Sequence, residues 1–255
     1  MFDTCVTRTA ATSPADPSAT TYPGTHPGTH PLDQAAWSSL TGPHAAFAIG
    51  DGRARRYPDT VSPFAALESV DDPRAWADLR ELYATGEVAG LAVPRGTAWT
   101  LPSGWALDGD VDGVQLVSTA ALRTYPDDEA VVLGASDVPD VVDLVTRTEP
   151  GPFRERTIEL GTYLGIRRGR TLAAMAGERL HPTGWTEISA VCTDPGFRRQ
   201  GLASGLVRAV AHQVRERGEV PFLHTSATNT RAIRLYLAMG FDLRSEVRFL
   251  ALRAL

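Results

Sequence analysis

The sequence predicts a mixed α/β (α+β) fold: a mostly antiparallel sheet flanked by helices, preceded by a smaller α/β domain. Three observations lead there. Short apolar runs at Thr162–Ile166, Thr171–Arg179 and Trp185–Cys192 are separated by turns at Arg167-Arg168-Gly169 and Pro182-Thr183-Gly184, the pattern of a strand meander. An apolar stripe at helical spacing (Leu202, Leu206, Val210, Val214) runs from about Gly201 to Arg217. A strand, a short helix and another strand follow it, so strands and helices alternate around one sheet.

The elements can be justified in chain order. Residues 1–32 are rich in Thr, Pro, Ala and Ser and contain the tandem repeat Gly24-Thr-His-Pro-Gly-Thr-His-Pro31. They offer too little apolar surface to offset their conformational entropy, so a disordered tail is expected. His26 and His30 are not read as metal ligands, because Pro27 and Gly28 oppose the helix that would align them. Residues 33–125 are expected to form the N-terminal α/β domain. Strands are predicted at Ala45–Ile49 and Val88–Val93, and a helix over Arg74–Ala84. Trp99–Val117 is predicted as two strands around a turn at Asp108-Gly109-Asp110. Trp37, Trp76, Trp99 and Trp105 read as core or interface.

Residues 126–255 carry the clearer pattern. A strand at Ala130–Leu133 precedes a helix at Asp137–Thr146, with Pro139 in its first turn. An irregular or short helical stretch, Gly151–Glu159, leads into the meander and the long helix, for which Gly218 is a C-cap. Pro221–Ser226 reads as a strand. Asn229 caps a helix over Thr230–Met239 that Gly240 ends, and Phe241–Leu252 makes one or two closing strands.

Composition narrows the function classes. The chain is 43% hydrophobic and 22% charged with a net charge of −5, so no basic field recruits nucleic acid or a membrane surface. The compact basic cluster at Arg167, Arg168 and Arg170 is too small for a nucleic-acid footprint. No apolar run is long enough to span a bilayer, and the start Met-Phe-Asp-Thr-Cys-Val lacks a secretory signal. Cys5 and Cys192 are too few for a disulfide framework or a cysteine zinc site. A cytoplasmic protein without a metal, acting as a monomer or homodimer, is expected.

The chemistry concentrates in Asp194–Ser204. A glycine-bearing loop between a strand and a helix leaves backbone N–H groups unpaired at the positive end of the helix dipole, a cradle for a pyrophosphate. Arg198 and Arg199 add charge, Gly201 lets the backbone approach closely, and Ala203 keeps the helix start narrow. Neither a Walker loop nor a Gly-x-Gly-x-x-Gly turn follows a strand here.

Three stretches together carry a resemblance: Glu187-Ile-Ser-Ala-Val-Cys-Thr-Asp-Pro, then Arg-Arg-Gln-Gly-Leu-Ala, then Asn229-x-x-Ala232-x-x-Leu235-Tyr236-x-x-x-Gly240-Phe241. Over about Glu129–Leu255 the chain resembles the GNAT superfamily of acyl-CoA-dependent N-acetyltransferases, in the branch with an additional N-terminal domain. The first half, which carries no such signature, is read as a degenerate copy of the fold on its element order.

The resemblance implies acetyl-CoA as co-substrate and a small-molecule or peptide amine as acceptor. It implies that Val191, Cys192 and Thr193 pair with the pantetheine arm and aim a donor at the thioester oxyanion, across a sheet parted from Phe222-Leu223-His224. Arg198, Arg199, Gln200, Gly201, Leu202, Ala203 and Ser204 would hold the pyrophosphate. Asn229, Ala232 and Tyr236 would line the cofactor channel, and Tyr236 would protonate the departing thiolate. Glu187 is the expected general base, with Glu178 in reserve. Strand alternation places Glu187, Ser189 and Val191 on one face. Cys192 reads as a buried small hydrophobe rather than a nucleophile, and His181 and His224 as structural. The reaction implied is direct transfer of acetyl to a primary amine in a ternary complex; the alternative is a CoA-binding sensor or assembly module without turnover.

Overall fold

The computed structural model describes residues 30–97 and 99–255. Most of the tail expected over residues 1–32, including His26, lies outside them. The strands are β1 (Ala54–Arg56), β2 (Ala65–Leu67), β3 (Val88–Pro94), β4 (Trp105–Ser118), β5 (Val131–Leu133), β6 (Tyr163–Arg168), β7 (Thr171–Glu178), β8 (Trp185–Thr193), β9 (Val220–Ser226) and β10 (Phe241–Ala254). The helices are α1 (Ala35–Leu40), α2 (Pro73–Glu81), α3 (Val138–Thr148), α4 (Leu202–Glu216) and α5 (Thr230–Met239).

Eight strands form one sheet in the order β3-β10-β4-β9-β8-β7-β6-β5, while β1 and β2 pair separately. Every neighbouring pair in the large sheet is antiparallel except β8–β9, which is parallel. The mixed, mostly antiparallel sheet expected from the sequence is therefore present. The boundary expected at residue 125 falls inside it: β4, from the first half, lies between β9 and β10, and β3 borders β10.

The sheet is covered on both faces. One face buries Leu202, Leu206, Val207, Val210 and Val214 of α4, with Tyr236 and Met239 of α5, against Leu164, Ile166, Ile188 and Leu223. Side chains such as Leu206 and Val210, fully buried, each contribute on the order of 2 kcal/mol through removal from water. On the opposite face α3 packs Val141 and Leu144 against Tyr163, Met175 and Cys192. There, too, Leu32, Leu40, Tyr57 and Val61 from the first half meet Phe222. Of the four tryptophans in the first half, Trp76 and Trp105 are buried, and Trp99 stacks on Trp76 at 5.7 Å.

Two local expectations fail. Ala45–Phe47 is a single 3-10 turn rather than a strand, with only Ile49 bridging to Arg56. Trp105–Ser118 is one continuous strand without a turn at Asp108-Gly109-Asp110. The acidic alternation that reads locally as a turn is neutralised across the sheet instead. Arg253 pairs with Asp108, Arg248 with Asp110 and Arg95 with Asp112.

Candidate active site

The site begins where β8 and β9 stop pairing. Their parallel register runs only from Trp185↔Val220 to Ile188↔Leu223, although β8 continues to Thr193 and β9 to Ser226. Beyond that fork β8 stays paired to β7 (Met175↔Cys192, Ala174↔Thr193) and β9 to β4 (Val114↔Thr225, Gly113↔Ser226). The facing edges over Ser189–Thr193 and His224–Ser226 share no ladder. The sheet is parted beside Val191-Cys192-Thr193, but from His224 onward only: Phe222 and Leu223, expected on the open side, still pair with Glu187 and Ile188.

A bulge at Ala190 shapes the fork. The β7–β8 register slips between Met175 and Gly177, and Ala190 takes a left-handed φ of 53°. A non-glycine residue there carries backbone strain, and an extra residue in a strand reverses the alternation beyond it. Val191 accordingly packs with Ile188 toward α4 and α5, while Ala190 and Cys192 pack toward α3. Glu187, Ser189 and Val191 therefore do not share a face, contrary to simple alternation.

The loop after β8 is a cradle. Asp194 accepts from the amide of Gly196 at 2.7 Å and pairs with Arg147, and Arg198 Nε donates to the carbonyl of Thr193 at 3.2 Å. Arg199 and Gly201 are both left-handed (φ 66° and 81°), which turns the chain so that Gly201 caps α4 without a side chain. The first capping bond is Gly205 N to Gly201 O, and no acceptor among the described residues takes the amides of Arg199 to Ser204. These donors sit at the positive end of a 15-residue helix, with the exposed Arg198 and Arg199 beside them. Thr193 Oγ1 is buried and also has no partner among the described residues. The arrangement fits a diphosphate and an extended arm beside it.

Across the fork, Asn229 caps α5 by accepting from the amide of Ala232 at 3.1 Å. Ala232 is half-buried against the core, and its amide is already used by Asn229. Tyr236 is buried in the same cluster as Ile188, Val191 and Leu223, with its ring edge against Phe241 at 6.0 Å. No hydrogen-bond partner for its hydroxyl exists among the described residues, and burial pushes its pKa up to about 12. Burial likewise raises the Cys192 thiol to about 11, consistent with an inert side chain.

Glu187 does not fit the base role. It is completely buried; Arg179 Nε donates to Oε2 at 2.9 Å and Nη2 to Oε1 at 2.6 Å, and His224 Nδ1 lies 2.7 Å from Oε1. Burial alone would raise its pKa, but the Arg179 charge, with the hydrogen bonds from Arg179 and His224, holds it well below the usual carboxylate range. A carboxylate bound so fully is a poor acceptor for a substrate proton. Glu178 is also engaged: it takes Arg217 at 2.9 Å and the amide of Thr162 at 3.2 Å. Sequence reading missed Arg179, just after β7, Gln115 on β4, whose Nε2 lies 2.9 Å from His224 Nε2, and Arg244 on β10, which donates to Gln115 Oε1 at 2.7 Å. Only the two-residue spacing of Phe222 and His224 hinted at a shared face.

Comparison with known proteins agrees with this geometry. A family model described as FR47-like protein matches residues 163–250. A crystal structure described as an acetyltransferase from the GNAT family, from Novosphingobium aromaticivorans, is 36% identical with a TM-score of 0.81, covering 89% of this chain and 99% of that one. The chain belongs to the GNAT family. Two more distant structures share the fold. A GCN5-related N-acetyltransferase from Kribbella flavida has a TM-score of 0.59 at 19% identity, covering 86% of this chain and 95% of that one. A Drosophila melanogaster protein has a TM-score of 0.56 at 18% identity, covering 79% of this chain and 73% of that one. A comparison with curated proteins returns no match. The match to the Novosphingobium GNAT protein covers 89% of this chain, so the likeness extends into the first half. Among the described residues no helix is long and apolar enough to cross a membrane.

Proposed function

We propose that this GNAT protein transfers an acetyl group from acetyl-CoA to a primary amine by direct attack. The observation that carries this is the fork between β8 and β9, which opens beside a loop whose Arg199–Ser204 amides have no acceptor among the described residues. In this reading the amides of Arg199 to Ser204 hold the diphosphate, with charge from Arg198 and Arg199. The free edge of Val191-Cys192-Thr193 pairs with the pantetheine arm, and a backbone donor there stabilises oxyanion charge on the thioester. The amine nitrogen bonds to the acetyl carbon, the carbon–sulfur bond breaks, and Tyr236 gives its proton to the departing thiolate. With its pKa near 12, Tyr236 keeps that proton until the thiolate forms. Neither Glu187 nor Glu178 is free to act, so the amine nitrogen loses its proton to solvent, and solvent returns one to the Tyr236 phenolate to close the cycle.

The test is free-thiol release from acetyl-CoA across a panel of small and peptide amines, with calorimetry of acetyl-CoA binding. Binding with amine-dependent thiol release supports transfer. Binding without release on any amine favours the sensor or assembly module, and no binding removes the coenzyme altogether.

A further inference from the structure

A continuous polar chain crosses the sheet on the face opposite α4 and α5. Arg179 binds Glu187, Glu187 meets His224, and His224 Nε2 lies 2.9 Å from Gln115 Nε2. Gln115 Nε2 also donates to the carbonyl of Leu32 at 2.9 Å, and its Oε1 accepts from Arg244 at 2.7 Å. Arg244 then reaches Asp33 at 2.7 Å. The amide orientation of Gln115 follows from its neighbours, since a guanidinium only donates and a carbonyl only accepts. Its nitrogen therefore faces His224, Nε2 of that ring must accept, and the ring proton sits on Nδ1 and goes to Glu187. Arg244 reaches both partners because it is the extra residue between Leu243↔Leu116 and Ser245↔Gln115, a bulge that re-aims its side chain.

The position of this chain matters. Glu187 pairs in register with Phe222, and His224 follows the last paired residue, Leu223. The Glu187–His224 bond thus bridges β8 and β9 by side chains at the point where the backbone ladder ends. At the other end of the chain lies the segment His30–Gln34. It is a 3-10 turn from Pro31, capped by His30 Nδ1, with the His30 ring 5.3 Å from Trp185 and Leu32 buried among the residues around Phe222.

We propose that Gln115 and His224 are positioning residues: they tie the docked segment Leu32–Asp33 to Glu187 and so fix the opening of the β8–β9 fork. This rests on the acetyltransferase reading only for what the fork accepts; the mechanical link stands on the bonds themselves.

The experiment is amide hydrogen exchange on the ligand-free full chain, comparing the wild type with Gln115→Leu, Asp33→Ala and Asp33→Asn, alongside acetyl-CoA calorimetry. In Gln115→Leu, segments 186–189 and 221–226 should exchange about tenfold faster while α3 and β6 are unchanged, and acetyl-CoA affinity should fall by a similar factor. Asp33→Ala should give a smaller change in the same segments. Asp33→Asn keeps an acceptor for Arg244 and should stay within about twofold of the wild type. Unchanged exchange at the fork in Gln115→Leu and Asp33→Ala would overturn the link. Acceleration spread evenly over the molecule in both variants would do so too, because the bonds would then serve general stability. A wild-type chain that gives no heat with acetyl-CoA would instead sink the acetyltransferase reading, and exchange at the fork would still decide the link.

Discussion

Tyr236 and Glu187 separate two kinds of buried residue. The Tyr236 hydroxyl has no partner among the described residues and lies in the cluster that flanks the fork, so its removal should touch chemistry and little else. Tyr236→Phe should lower kcat about tenfold or more while acetyl-CoA affinity by calorimetry stays within about twofold. An unchanged kcat would take Tyr236 out of the reaction. Glu187 is the reverse case, since its bonds to Arg179 and His224 are structural. Glu187→Gln leaves Arg179 buried without its counter-charge, which should cost roughly 3 kcal/mol of stability. The acidic limb of the pH–rate profile should nevertheless persist in whatever enzyme remains folded. Loss of that limb would restore Glu187 as the base. The sequence placed Glu187 at the right strand position but could not show its burial, because its partners come from positions 8 and 37 residues away.

At the scale of elements, the loop and the bulge make opposite predictions. Gly201 is left-handed, yet an added Cβ would meet nothing within 4 Å. Gly201→Ala should therefore cost about 1 kcal/mol in the free protein, from backbone strain alone. If the diphosphate binds as proposed, acetyl-CoA binding should weaken about tenfold, because the new methyl would stand in its approach. Equal binding would move the diphosphate elsewhere. Ala190 already bears a left-handed strain, so Ala190→Gly should leave urea stability equal or higher by up to about 1 kcal/mol. The β8–α4–β9–α5 order and the Asn229 cap were legible in sequence because local periodicity and capping chemistry determine them. The bulge at Ala190 was not, since only its pairing with β7 reveals the extra residue. The missing turn in β4 has the same cause: the arginines facing its aspartates lie on β10 and after β3.

Across the whole molecule, the first half lends β3 and β4 to the sheet and packs its own residues over Phe222. The seam is polar in places. His44 binds the Tyr57 hydroxyl at 2.9 Å and the Leu160 carbonyl at 3.2 Å, and its ring lies 4.8 Å from that of His181. Burial, with the neighbouring His181, pushes the pKa of His44 down to about 4, and burial lowers that of His181 despite Glu178 nearby. Both rings are neutral in the fold and easier to protonate when unfolded. Their share of stability is thus complete above about pH 6.5 and is lost as the pH falls below it, for His44 down toward 4. The urea midpoint should drop between pH 7 and pH 5, and His44→Phe should flatten that drop; an equally steep fall in the variant would place the titration elsewhere. This seam between the two halves was invisible in sequence, where a mixed α/β second half was clear but its shared sheet with the first half was not.

The most direct measurement is a crystal structure of the full chain with acetyl-CoA bound. The diphosphate should rest on the amides of Arg199 to Ser204, and the pantetheine arm should run between Val191–Thr193 and His224–Ser226 with the thioester near Tyr236. Coenzyme bound at any other surface, with the strands beyond Ile188 and Leu223 closed onto each other, would contradict it.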